Sequence, residues 1–231
     1  MISLRSELAE YLRPTWFIDS DHPAVIDFAR GSAGDQTSAA AKAVGLYYAV
    51  RDGIRYDPYR VDLRPEAMRA SAALARGFGF CIPKAVLLAA AARVEGIPSR
   101  LGFGDVKNHL ATDRLRRLMQ TEVFAFHGYT ELFLGHRWIK ATPAFNSSLC
   151  ERFDVEPLAF DGQHDSLLQP LDRKGNRYME YIRDHGQFAD LPLEQVRAAF
   201  EKHYPSLMSG GTYDLAGTFE DEAAADQAPE Q

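Results

Sequence analysis

Residues 77–96 read GFGFCIPKAVLLAAAARVEG, and the rest of the chain is arranged around them. Glycine and phenylalanine alternate up to Cys81. An apolar run of strong helix formers follows, from Ala85 through the alanines. Pro83 suits a first helical turn, where its missing N–H costs nothing. Gly96 suits the position just past a helix end, with Pro98 behind it. The pattern predicts a buried helix with Cys81 at its N-terminus. Unpaired N–H groups and the positive end of the helix dipole there favour a thiolate. Most buried cysteines are inert small hydrophobes, so the position gains chemical meaning only if another element delivers a histidine to it.

His127 is that candidate. Residues 121–146 read TEVFAFHGYTELFLGHRWIKATPAFN. The first half is aromatic and β-branched, apolar on both faces, and reads as a buried strand up to Leu134. Arg137–Thr142 reads as its partner, ended by Pro143. A two-residue turn at Gly135-His136 makes the pair a hairpin. That register sets Leu134 opposite Arg137 and Glu131 opposite Lys140, an opposite-charge pair. It also sets Tyr129 opposite Thr142 and His127 opposite Ala144. Side chains of His127, Tyr129, Glu131 and Thr142 then share one face.

These pieces together resemble the transglutaminase-like family, whose core is papain-like. A glycine-flanked cysteine opens a helix ending in Arg93, Gly96, Ile97, Pro98 and Arg100. His127, Tyr129 and Glu131 follow, then Gly135 and Trp138, then Thr142-Pro143. The resemblance covers roughly residues 37–146. It implies a Cys–His–Asp triad in a family of transferases, peptidases, amidases and inactive members. By position, Cys81 matches the nucleophile and His127 the base. The family usually carries Asp where this chain has Thr142. A carboxylate there fixes the imidazole tautomer and stabilises the imidazolium; a threonine hydroxyl accepts the same hydrogen bond without charge. Asn146, Asp161, Asp165, Asp105 and Asn108 are the other groups that could orient the ring. In the family, the segment before the nucleophile borders the site. Tyr56 is therefore expected to assist an oxyanion hole of backbone N–H groups. Tyr56, Asn108 and Tyr129 are the expected substrate contacts.

At 231 residues the chain suits one domain. We expect it to span 1–216, with the core at about 37–146 and an acidic disordered tail at 217–231. The fold expected is α+β: a helical N-terminal half carrying Cys81, packed on an antiparallel sheet carrying His127. A net charge of −6 argues against general nucleic-acid affinity. Two cysteines make no disulfide framework, which suits a reducing cytoplasm. The N-terminus carries acidic residues and no apolar run, and no run is long enough to cross a bilayer.

Further helices are expected at Leu4–Leu12, Pro23–Arg30, Ser38–Asp52, Pro65–Ala75, Arg177–Asp184 and Leu193–Tyr204, and a strand at Ser99–Val106. A short helix with Arg114, Arg116 and Arg117 follows Thr112 or Asp113, and residues 147–175 read as mostly irregular. The expected function is acyl transfer through a thioester on Cys81, with a peptide or small amide as substrate. No cofactor or metal is expected, since Asp161, His164 and Asp165 suit turn chemistry. The alternatives are a degenerate binding or scaffold module, an arylamine-type acyltransferase, and a metal-dependent hydrolase using His109, His127 and His164.

Overall fold

The computed structural model describes residues 7–108, 112–168, 170–175 and 178–208, together with Phe219 and Glu222. Helices α1 (Pro23–Ala33) and α2 (Ala39–Gly53) come first. His22 and Ser38 cap them, each side chain accepting an N–H of the first turn. A two-residue strand β1 (Arg55–Tyr56) pairs in parallel with β2 (Phe78–Gly79), across α3 (Ala70–Arg76). That pairing holds Tyr56 beside the approach to Cys81.

Helix α4 (Cys81–Val94) is buried along nearly its whole length. It behaves as a core helix because its residues are apolar on every side. The glycine stop works as expected: Gly96 is left-handed at φ 72°, and Ile97 N–H returns to Ala92 O at 2.9 Å. Buried Lys84 donates to the carbonyls of Arg51 and Ile54, so the cysteine helix seals the C-terminus of α2.

The main sheet has the order β5–β4–β3–β6 and is antiparallel throughout. Its strands are β3 (Ser99–Asn108), β4 (Val123–Leu134), β5 (Arg137–Ala141) and β6 (Met179–Phe188). Thr130 Oγ1 donates to Ala85 O and Ser99 Oγ to Ala89 O, both at 2.8 Å, fixing the sheet against α4. Between the strands lies α5 (Asp113–Met119), and after β5 comes α6 (Ser147–Arg152). Helices α7 (Leu193–His203) and α8 (Pro205–Met208) close the described chain before Phe219.

The hairpin has the expected register, with Leu134 paired to Arg137 and Glu131 to Lys140. Gly135 and His136 both have positive φ, as a two-residue primed turn requires. The ladder stops at Thr130–Ala141, because Thr142 N–H turns to Ser166 O. Tyr129 and His127 are thus not paired with Thr142 and Ala144. Glu131 bonds Arg100 at 2.6 Å rather than Lys140, and the Arg100 guanidinium lies 4.1 Å from the centre of the Trp138 ring.

Several expectations need correction. Residues 177–184 were expected to be helical, but Met179–Phe188 is a strand, stabilised by pairing along β3 rather than by local propensity. Residues 65–75 split into a 3₁₀ turn, Pro65–Met68, and α3, since Arg69 is extended between them. Among the described residues of 4–12 there is only a 3₁₀ turn, Ala9–Leu12. Helix α1 runs past Gly31 to a stop at Gly34. Two positions of residues 217–231 are described. Phe219 is buried against Tyr56, Tyr59 and Phe153, and Glu222 bonds Tyr59 and Arg114. No helix among the described residues is long and apolar enough to cross a membrane.

Candidate active site

Cys81 is the first residue of α4, and the backbone amides of Gly128, Ile82 and Cys81 itself favour its thiolate. Gly128 permits this approach: a Cβ there would lie 3.3 Å from the Ile82 Cα and 3.2 Å from its Cγ1. The strand therefore touches the helix at the residue next to His127.

Cys81 and His127 line one cavity of about 40 Å³, with Tyr56, Phe80, Ala125 and Tyr204. Leu115, Leu118 and Met119 of α5 and Phe200 of α7 close it. The walls are almost wholly apolar, and Cys81 is 7% and His127 3% exposed. Burial pushes the thiol up to about 11, against the opposing pull of the three amides. Burial also pushes the imidazole down to about 4. The expected helix-mouth thiolate is therefore not the resting form. Desolvation outweighs the helix terminus, and burial favours the uncharged thiol and the uncharged imidazole alike in the cavity they both line.

A β-bulge precedes His127. The β3–β4 register shifts between Gly104 and Val106, so Asp105 faces both Ala125 and Phe126. Phe126 takes a φ of 54° there. Asp105 accepts its N–H and also bonds His185 Nε2 at 2.7 Å, while the His185 ring stacks on Phe126 at 4.2 Å.

The expected third residue is near but idle. Thr142 and His127 line a second small cavity with Ala144 and Phe145. Tyr47 holds the Thr142 carbonyl at 3.2 Å, yet Thr142 Oγ1 is buried with no partner. The other candidates are occupied elsewhere. Asn146 accepts Tyr56 N–H and donates to Ser148; Asp165 accepts Lys140 N–H; Asp161 accepts from Gln163 and pairs with His164. Asn108 ends β3, away from the cavity lining. Among the described residues, no hydrogen bond reaches the His127 ring.

Of the expected substrate contacts, Tyr56 lines the cavity, edge-on to Phe145 at 4.7 Å. Tyr129 instead lies over Gly102, lining a recess of about 400 Å³ with Lys140 and Tyr181. His109 lies outside the described residues. No group of three metal-ligating side chains exists among the described residues. Local sequence does not show Tyr181 and His185, which lie on β6, or the bulge at which Asp105 of β3 holds Phe126 of β4. The only earlier hint was the glycine spacing at Gly102 and Gly104.

A cysteine at the mouth of a core helix, flanked by a histidine on an antiparallel sheet, defines a papain-like thiol fold. The chain belongs to the transglutaminase-like superfamily, whose model matches residues 26–143. No curated protein matches it. It is similar to a solved structure described as a proposed cysteine protease from Cytophaga hutchinsonii, at 18% identity and a TM-score of 0.48. That match covers 62% of this chain and 43% of the other. A second, described as a proposed protease from Parabacteroides distasonis, has 12% identity and a TM-score of 0.39. It covers 62% of this chain and 26% of the other. The chain thus spans less than half the length of either.

Proposed function

We propose that the protein is a cysteine-dependent hydrolase or acyltransferase of the peptidase or amidase type, working through a thioester on Cys81. The observation that carries this reading is the shared cavity of Cys81 and His127, where the histidine strand meets the cysteine helix at Gly128 and Ile82. A neutral imidazole is the form that can accept a proton. As Cys81 Sγ bonds the substrate carbonyl carbon, its proton passes to His127, which then returns it to the leaving amine. Water or an amine resolves the acyl-enzyme. A peptide, isopeptide or small amide fits this chemistry, and a cytoplasmic setting keeps the thiol reduced.

A second reading, a degenerate binding module, is favoured by the neutral resting pair and by the idle Thr142 hydroxyl. Acylation separates the two. p-Nitrophenyl acetate should acetylate Cys81 in the native protein, seen by mass spectrometry, and His127→Ala should abolish it. No acetylation of the native protein, with normal acetylation of the unfolded chain, would establish the module.

A further inference from the structure

The thiol of Cys81 and the ring of His127 are both closed off from solvent. A reagent reaches them only if part of the wall moves, and α5 is the least secured part. It has 7 residues, too few to hold a helix without support from elsewhere in the fold. Its Leu115, Leu118 and Met119 line the cavity. The other covering helix, α7, is longer and is rooted by buried Leu193, Val196 and Phe200.

Residues from the far end of the chain grip α5. Glu222 accepts hydrogen bonds from Arg114 of α5 and from the Tyr59 hydroxyl. Tyr59 in turn bonds the side chain of Thr112, the cap of α5, and the Arg114 guanidinium lies 4.4 Å from the centre of the Tyr59 ring. On the same segment, Phe219 is buried among Tyr56, Tyr59 and Phe153. Tyr56 is itself a wall of the cavity. Phe219 and Glu222 thus tie the roof to the wall. Within residues 217–231, Phe219 is the only large apolar side chain; the others are small, polar or acidic. A segment of that composition builds no core of its own, so its one aromatic ring is spent on the wall of the Cys81 cavity. Its Glu220-Asp221-Glu222 run is also opposite in charge to α5, which carries Arg114, Arg116 and Arg117.

We propose that Phe219 and Glu222 form an autoinhibitory clasp, which holds α5 over Cys81 and opens the site when it lets go. As regulation this rests on the acyl-transfer reading of Cys81; as a gate on the thiol it stands apart from that reading, because alkylation reports access alone. The grip is suited to release. The ion pair of Arg114 and Glu222, 21% and 22% exposed, contributes little and weakens with salt. One phenylalanine adds a single patch of buried apolar area.

The test follows alkylation of Cys81 by iodoacetamide in the full chain at one fixed pH. Glu222→Arg and Phe219→Ala should each speed it by about tenfold, since a covered thiol reacts in proportion to the open population. Amide exchange of α4 should not change, which separates opening of α5 from loosening of the core. Arg114→Glu should open the roof as Glu222→Arg does. The two together should restore the slow rate, the pair re-forming with its charges exchanged. Unchanged alkylation in Glu222→Arg and Phe219→Ala overturns the clasp, and so does a faster rate with equal loss of protection in α4. A charge-exchanged double variant as fast as the faster single one overturns it as well. Acetylation by p-nitrophenyl acetate is the separate arm. If the opened variants alkylate faster but take no acetyl group, the clasp stands as a gate and the acyl-transfer reading of Cys81 falls.

Discussion

Asp105 accepts the backbone N–H of Phe126 at 3.0 Å, one residue before His127. That bond satisfies an amide which the bulge turns away from the ladder, and it holds a φ that phenylalanine rarely adopts. Asp105→Ala leaves the amide buried and unpaired, so a loss of about 1–3 kcal/mol is expected in urea denaturation. Asp105→Asn keeps an acceptor oxygen and should lose less. Acetylation of Cys81 should follow the same order, since the bulge aims His127.

The pH dependence of stability follows from the two buried groups. His127 falls from 6.5 to about 4 on folding, so the folded chain stays deprotonated where the unfolded chain binds a proton. Stability is therefore full above pH 6.5 and lost as pH falls toward 4. Cys81 rises from 9.0 to about 11, so its contribution is full below pH 9 and lost as pH rises toward 11. Each loss amounts to about 3 kcal/mol. Urea midpoints measured against pH should show both limbs, with His127→Gln flattening only the acid one. Alkylation of Cys81 by iodoacetamide should climb steadily from pH 7 to 10, and a plateau below neutrality would contradict this picture.

Thr142 is where a charge can be restored. Its hydroxyl has no partner and shares a cavity with His127. Thr142→Asp should raise the imidazole toward its ordinary range and speed Cys81 alkylation at pH 7 by about tenfold or more, at some cost in stability. Ring NMR signals give the first and mass spectrometry the second. Thr142→Val removes an unsatisfied group and should leave stability nearly unchanged.

The roof of the cavity is held by a distant residue. Glu222 bonds both Arg114 of α5 and Tyr59, and Tyr59 bonds Thr112, the cap of α5. Glu222→Gln should speed amide exchange across Leu115–Met119 without affecting α4. Equal protection in both proteins would show that α5 is held by apolar packing alone.

Much of this was legible from local chemistry. The Cys81 helix announced itself through Pro83 and Gly96, and the hairpin through Gly135-His136 and the Glu131–Lys140 pairing. What escaped was everything that depends on β6. Half of residues 179–188 are exposed and their side chains carry no clean two-residue alternation, so their strand character exists only against β3. Without β6 there is no Tyr181 over Gly104 and no His185 on Asp105. The bulge at Phe126 was hidden for a related reason: it is held by a side chain from another strand. The protonation state of the pair was also beyond local reading, because the residues that dry the cavity come from α5 and α7.

The two glycines of β3 carry a consequence for sequence variation. Each holds an aromatic ring in the space its own side chain would fill, with approaches of 2.2 Å at Gly102 and 2.6 Å at Gly104. Even a single methyl group at either place would evict a tyrosine. In a saturation library, intolerance to alanine at position 104 should lift when residue 181 is made small, a compensation that only direct steric contact between the two positions would produce.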